Sequence, residues 1–228
     1  MKNYLLTTII CFLFTFNCFT QETGEDKLGA WYMYSGSHKI SEKLNLKSMI
    51  QVRTYETVSD FNIFFALAGG SYHVNNNLSA NLNYGFLRWD RSFEDTDNPD
   101  TIEHRINESL SLSNKSGKFS FVNRLGLDHR FIDNKSSYET QHRVRYKFNL
   151  KHPISNGLYV SVFDEIFYNL ERFKFQQNRL YGALGINLTN TCKFELGYMK
   201  WSFKSISFDR LQLGLSIKTD WRKKDSKS

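Results

Sequence analysis

The segment from Tyr138 to Leu150 alternates between two kinds of side chain, residue by residue. Side chains of a β-strand point to opposite faces in turn, so an alternation with period two predicts a strand whose two faces differ. Here one face is apolar and aromatic and the other is charged. The first face carries Tyr138, Thr140, His142, Val144, Tyr146, Phe148 and Leu150, and the second carries Glu139, Gln141, Arg143, Arg145, Lys147 and Asn149.

Ten further segments show the same alternation between turn signals, and most run for about 11 to 14 residues. Strands of soluble proteins usually have about 5 or 6 residues, whereas a tilted strand that crosses a bilayer needs about 9 to 11. Long two-faced strands predict an all-β fold, a single antiparallel up-and-down transmembrane β-barrel with lipid outside and a polar lumen. The ten segments are Leu28–Ser37, Leu44–Tyr55, Asn62–Val74, Leu78–Arg91, Ile102–Asn114, Phe119–Phe131, Leu158–Asn169, Gln176–Thr189, Cys192–Phe203 and Phe208–Trp221.

The connections between these segments alternate between compact turns, such as Asn190–Thr191, and longer polar loops, such as Ser92–Thr101. Short periplasmic turns and longer outer loops are typical of bacterial barrels. Such barrels normally have an even number of strands with both termini on one side, which eleven segments do not satisfy. We therefore expect 10 or 12 strands, or a segment 22–30 that threads back through the lumen. Pro99 and Pro153 both fall in predicted connections.

The N-terminal residues 1–20 have the features of a secretion signal. Lys2 is followed by an apolar run from Leu5 to Phe16, which is too short to span a bilayer as a helix. We interpret residues 1–20 as a cleaved signal peptide and residues 21–228 as one barrel domain in the outer membrane of a Gram-negative bacterium. A retained anchor and lipidation at Cys18 are the alternatives.

The composition supports a barrel and argues against other classes. Aromatic residues make up 16% of the chain although the mean hydropathy is −0.49, which suits an apolar exterior around a polar interior. The net charge is +7, but the basic residues alternate along strands and do not form an arm or a helix, so we expect no nucleic-acid partner. Beyond Cys11 and Cys18 only Cys192 remains, which excludes an internal disulfide in the exported chain.

Several motifs resemble one known family. The early strand with Trp31, the run His142-Arg143-Val144-Arg145-Tyr146-Lys147, the run Phe163-Asp164-Glu165-Ile166-Phe167-Tyr168-Asn169 and the segment Gln177-Asn178-Arg179-Leu180-Tyr181 occur in order. They are similar to the Gram-negative outer-membrane barrel family catalogued as domain of unknown function number 2490. The resemblance covers roughly residues 28–220 and implies an outer-membrane barrel with no known activity. The chain departs from many outer-membrane barrels because Trp221 is followed by a polar tail and not by the C-terminus.

The alternate residues that form the charged face of each strand, here called its charged parity, define the candidate site. If this parity faces inward, arginines outnumber carboxylates in the lumen. Two interpretations stay open: a packed network of cross-strand ion pairs, or a narrow constriction that favours anions. The predicted lumen-lining residues are Arg53, Glu103, Arg105, Arg124, Asp128, Arg130, Arg143, Arg145, Glu165, Arg179 and Arg210.

Two charged residues do not fit the predicted faces. Glu108 and Asp164 fall on the apolar parity of their strands. Either a β-bulge reverses the parity locally, or these carboxylates lie near a membrane boundary, where charge costs little. The pair Gly69-Gly70 in mid-strand predicts a bend or bulge.

The sequence favours a non-enzymatic barrel, either a narrow passive pore or a structural envelope protein. A lipid-modifying barrel enzyme is one alternative, because His104 and His142 share the lipid-facing parity, but no Ser-His pair has a recognisable spacing. A soluble periplasmic carrier is another and would require a polar exterior. We expect no cofactor, no metal and no catalytic residue; the acidic run from Glu94 to Asp100 could bind calcium but is better explained as a solvated loop. The expected partners are outer-membrane lipid and the assembly machinery, and the oligomeric state stays open.

Overall fold

The computed structural model describes residues 24–93 and 99–222, which form eleven β-strands and one short 3₁₀ turn at Gly24–Asp26. No helix in these two ranges has the length and apolar character needed to cross a membrane. The predicted signal peptide and the centre of the acidic loop lie outside the described residues. The strands are β1 (Gly29–Lys39), β2 (Leu44–Thr54), β3 (Phe61–His73), β4 (Leu78–Trp89), β5 (Thr101–Ser116), β6 (Phe119–Asp133), β7 (Tyr138–Ser155), β8 (Leu158–Asn169), β9 (Lys174–Asn187), β10 (Cys192–Ser202) and β11 (Ser207–Asp220).

The strands form one closed barrel in which each pairs with its sequence neighbours. All ten sequential pairs are antiparallel, whereas the closing pair of β1 and β11 is parallel, from Gly29 opposite Arg210 to Lys39 opposite Asp220. The prediction of 10 or 12 strands is therefore wrong. In a meander with an odd number of strands the first and last run in the same direction, so the barrel can close only through a parallel pair. This pair extends over the full length of β1, so closure does not require an even number.

The odd strand number places the described ends of the chain at opposite ends of the barrel. The longer connections lie at one end, here called the loop end, and the compact ones at the other, here called the turn end. Residues 24–28 lie at the loop end, where Gly24 packs near Tyr55 and Phe93, and β11 finishes at the turn end. These residues do not thread back through the lumen, as the alternative with residues 22–30 would require.

All eleven predicted segments are strands, and most of their boundaries agree within about two residues. The largest difference is in β7, which continues to Ser155 through the predicted turn at Pro153. The pairing of β7 with β8 shifts register between Pro153 and Ser155. Proline has no amide hydrogen for the ladder, and an irregularity at the strand end accommodates it.

The bulge predicted at Gly69-Gly70 is wrong, because β3 pairs continuously with both neighbours there. A Cβ atom on Gly69 would lie 2.2 Å from the carbonyl oxygen of Leu82. Glycine is therefore needed at this position because the backbones of β3 and β4 approach closely.

The two faces of the wall differ in polarity on most strands, although the inner face of β3 is also apolar, with Ile63 and Phe65 buried. Large apolar side chains on the outer face are exposed on β2 through β10, among them Ile50, Leu82, Leu125 and Leu184. The inner face carries most of the buried polar and charged residues. The alternation in the sequence thus corresponds to an apolar exterior and a charged interior, and the core of this barrel is an ionic and aromatic network.

Glu108 and Asp164 keep the outward parity of their strands. Glu108 pairs with Leu82 and Leu127, and the pairing of β5 is regular on both sides. The register shift in β8 falls between Phe167 and Tyr168, beyond Asp164. A local bulge therefore explains neither carboxylate. Both residues are exposed near the middle of their strands and not at a strand end.

Candidate functional site

The barrel encloses a cavity of about 1080 Å³, lined by residues of all eleven strands. Nine of the eleven predicted lumen residues border this cavity. The other two, Asp128 and Arg210, are almost completely buried by their own partners. The nine that border the cavity are Arg53, Glu103, Arg105, Arg124, Arg130, Arg143, Arg145, Glu165 and Arg179.

Glu103 on β5 is the first of three carboxylates that organise the interior. Nε of Arg105 donates to its Oε1 at 2.7 Å, and Arg130 donates to both oxygens, from Nε at 3.0 Å and from Nη2 at 2.6 Å. The contact of Arg130 with Glu103 is bidentate, because the planar guanidinium matches the two carboxylate oxygens. Such pairs are strong and directional. Glu103 is 2% exposed, so this pairing is shielded from solvent.

Asp128 and Glu165 continue the same belt around the wall. Asp128 faces Arg143 directly across β6 and β7, and Nε of Arg143 donates to its Oδ2 at 2.7 Å. Asn107 donates to the other oxygen at 2.6 Å. Arg145 lies between the two carboxylates, 3.6 Å from Asp128 and 3.2 Å from Glu165. The belt therefore joins β5, β6, β7 and β8 through cross-strand charges.

An aromatic layer completes the loop-end half of the interior. The guanidinium of Arg53 lies 3.8 Å from the ring centre of Trp31, and that of Arg179 lies 5.0 Å from the same ring and 4.8 Å from Phe167. Trp31 also packs edge-to-face on Trp201 at 5.5 Å. The interior contains more arginines than carboxylates, and the faces of these aromatic rings partly stabilise the excess positive charge.

The N-terminal residues lie over the loop end of this layer. Arg210 forms an ion pair with Glu25 and donates from Nη1 to the carbonyl oxygen of Lys27 at 3.0 Å. Asn62 donates to Glu25 at 3.3 Å. The segment 24–28 is therefore fastened to β3 and β11 at the loop end.

The turn-end half of the interior is more open and is lined by lysines and small hydroxyl residues. These lysines share the parity of the predicted arginines on the same strands, so the alternation already predicts that they face inward, although they are not among the predicted lumen residues. The cavity at this end is bordered by Lys47, Lys147, Lys151 and Lys218, together with Ser37, Ser48, Ser216 and Thr219.

The rim of the turn end has its own ion pairs. Lys39 donates to Glu42 at 3.0 Å, and Arg222 pairs with the same carboxylate and with Asp220. The hydrogen bond from Lys39 and the charge of Arg222 lower the pKa of Glu42 below its usual value. The charge of Lys39 is therefore balanced by a carboxylate at the rim, whereas no carboxylate of the described residues lies within ion-pair distance of Lys47 or Lys218.

The two histidines considered for lipid chemistry lie on the outer face, as their parity predicts. Oη of Tyr84 and Nδ1 of His104 are 2.6 Å apart, and Nδ1 of His142 is 2.8 Å from Nδ1 of His129. Neither ring contacts a serine hydroxyl in the ranges 24–93 and 99–222. In the same ranges no group of three or more His, Cys, Asp or Glu side chains could hold a metal ion.

The fold and its interior define a closed, eleven-stranded, mostly antiparallel β-barrel with an apolar exterior and a lumen crossed by ion pairs. A family described as "Protein of unknown function (DUF2490)" matches residues 28–212, and the chain belongs to it. This agrees with the family that the strand motifs resemble. No curated protein and no solved structure matches the chain.

Proposed function

We propose that this protein is a non-enzymatic barrel of the outer membrane of a Gram-negative bacterium, and that it acts as a narrow passive pore or as a structural envelope protein. The observation that supports the proposal is the opposite polarity of the two faces. The exterior is apolar and exposed, and the interior is charged and buried. Lipid is the solvent that suits such an exterior, because a closed barrel satisfies every backbone hydrogen bond internally.

The extent of the apolar exterior supports lipid contact more than a local docking patch. Leu82, Leu184 and Leu125 are 60%, 58% and 55% exposed and lie on different sides of the barrel. A soluble monomer rarely exposes a contiguous apolar patch larger than a few hundred Å². A shallow apolar groove on the outer face between β8 and β11, where Gly182 carries no side chain, would fit an acyl chain.

The interior argues against the soluble carrier. A carrier of apolar ligands would have an apolar cavity inside and polar residues outside, whereas this barrel has an apolar exterior and carries most of its buried charged residues inside. The mid-strand carboxylates Glu108 and Asp164 do not reverse this balance. Asp164 accepts a hydrogen bond from Asn178, and acidic residues on a lipid face cost less than Arg or Lys at the same depth.

Membrane fractionation tests the location. The full chain, expressed with its N-terminal segment in a Gram-negative host, should sediment with the outer membrane and migrate faster on a gel when it has not been heated. Leu184→Arg should lower the yield of the fast-migrating form, because a cation would face the hydrocarbon. Ser136→Arg, in the loop-end connection between β6 and β7, should leave the yield unchanged. Recovery of the wild-type chain in the soluble periplasmic fraction would overturn the proposal.

Single-channel recording then separates a pore from a structural barrel. The packed loop-end half predicts a small conductance, and the excess of arginine predicts that anions carry more of the current under a salt gradient. Arg124→Gln should shift the reversal potential toward cations, because Arg124 borders the cavity and forms no ion pair with a carboxylate of the described residues. A purified, correctly folded barrel without any conductance would leave the structural role and exclude the pore.

A further inference from the structure

The turn-end half of the cavity contains a cationic cluster that the ion-pair belt does not use. We name it the turn-end vestibule and define it by Lys47, Lys151, Lys218 and Arg124. These residues come from four different strands, β2, β7, β11 and β6, and all of them border the same cavity. Residues so far apart in the chain meet here only because the barrel closes.

The parallel seam between β1 and β11 places two of these lysines on either side of one serine. Ser37 pairs with Lys47 on β2 and with Lys218 on β11. Nζ of Lys47 donates to Oγ of Ser37 at 2.9 Å. The row of lysine, serine and lysine therefore presents two ammonium groups and a hydroxyl to the cavity.

The remaining cations extend the cluster along the wall. Lys193, beside the cavity lining, faces Ser216 on β11, two residues before Lys218, and its ammonium group lies near Lys218, Lys151 and the carboxylate of Glu195. Lys47 is coupled to Lys218 and to Arg124. Like charges that face one partly enclosed cavity repel one another more strongly than they would in bulk water.

Carboxylates do not balance this charge. Lys151 pairs with Glu195, which also accepts a hydrogen bond from Tyr159 at 2.9 Å. Among residues 24–93 and 99–222, no carboxylate oxygen lies within ion-pair distance of Lys47, Lys218 or Arg124. Three unpaired cations in one cavity form a strong site for an anion with several charges.

We infer that the turn-end vestibule binds a soluble, multivalent phosphate anion, such as a pyrophosphate group carried by a small molecule. Lysine ammonium groups bind phosphate as point charges, and a guanidinium matches two of its oxygens. Ser37 and Ser216 add hydroxyl groups to the lining of the same cavity. The vestibule lies inside the barrel wall, away from the apolar exterior, which favours a soluble phosphate over a lipid headgroup.

Calorimetry on the folded full chain in zwitterionic detergent tests the inference, with sodium pyrophosphate as the probe at low ionic strength. Pyrophosphate should bind, and acetate at the same ionic strength should not. The double variant Lys47→Gln/Lys218→Gln should weaken binding at least tenfold. The matched control Lys43→Gln/Lys118→Gln removes the same charge from exposed turns at the same end, outside the cavity, and should bind as the wild type does.

Thermal unfolding provides a second readout that a general loss of structure would not reproduce. Pyrophosphate should raise the Tm of the wild type, because a ligand of the folded state stabilises it. Without ligand at low salt, the vestibule variant should unfold at a higher temperature than the wild type, since it removes repulsion. Arg124→Gln repeats the test if the double variant does not fold.

Three results would overturn the inference. The first is no binding of pyrophosphate to the wild type at millimolar concentration. The second is equal weakening in the vestibule variant and the turn control, which would indicate diffuse charge attraction. The third is binding only when anionic lipid is added, which would indicate a headgroup site. None of these results depends on whether the barrel conducts or where it is located, so failure here would be distinct from failure of the proposed function.

Discussion

The replacement of Asp128 by asparagine tests whether the ion-pair belt holds the barrel together. Asp128 is 0% exposed and accepts hydrogen bonds from Arg143 at 2.7 Å and from Asn107 at 2.6 Å. Asparagine keeps the shape of the side chain but removes the charge between Arg143 and Arg145. Both guanidiniums would then stay in the interior with one carboxylate fewer.

The expected cost follows from that burial. Removal of one partner of a buried, hydrogen-bonded ion pair leaves an uncompensated charge and typically costs about 3–5 kcal/mol. Arg143 has a side-chain exposure of only 6%, so water replaces the lost carboxylate poorly. We therefore expect Asp128→Asn to lower the free energy of unfolding by about 3–5 kcal/mol.

Urea unfolding in lipid vesicles, followed by tryptophan fluorescence and by heat-modifiable migration, measures this difference. The control is Asp133→Asn on the same strand, an exposed residue whose side chain accepts a hydrogen bond from the amide of Lys135 at 2.8 Å. Asparagine can keep that bond, so the control should stay within about 0.5 kcal/mol of the wild type.

A double-mutant cycle with Arg143→Met assigns the effect to the pair. Because the charge and its partner would leave together, Asp128→Asn/Arg143→Met should lose less stability than the sum of the two single variants. A loss below about 1 kcal/mol for Asp128→Asn, or strict additivity in the cycle, would refute the argument that a buried pair stabilises the belt.

Three further variants test other features. Glu108→Leu should raise the free energy of unfolding in lipid, by an amount measured in the same urea assay, because a charge on the outer face would be replaced by an apolar side chain; a decrease would mean that this face contacts water. Glu25→Gln weakens the contact with Arg210 and should enlarge the single-channel conductance, whereas Glu56→Gln in the same loop-end region should not change it. Gly197→Ala places a Cβ atom 2.4 Å from the ring of buried Tyr181 and should cost about 1–3 kcal/mol in urea unfolding, while Gly182→Ala, with nothing within 4 Å, should cost less than about 1 kcal/mol.

The alternation of side chains was sufficient to predict the eleven strands and the face on which each residue lies. This is because the period of two is a local property of the extended backbone, so Val144 and Arg145 must point to opposite sides wherever the strand lies. The inward position of the candidate arginines followed from the same parity. The length of each strand and the polarity of its outer face are also properties of a single strand, so the sequence shows them directly.

Closure of the barrel was decided only by the tertiary structure. The odd number of strands was visible in the sequence, but the parallel seam that accommodates it depends on whether β1 and β11 meet in register. Depth along the barrel axis also depends on the tilt and stagger of the strands, so the sequence did not show that the loop-end half is packed and the turn-end half open.

The same reason limits prediction of the site. The pairing of Asp128 with Arg143 depends on the register between two neighbouring strands, which local alternation does not specify. The row Lys47, Ser37 and Lys218 brings together residues from near opposite ends of the chain. Local alternation determines which face a side chain occupies. Only closure of the sheet determines which charges share a cavity, and therefore which are neutralised and which are left to bind an anion.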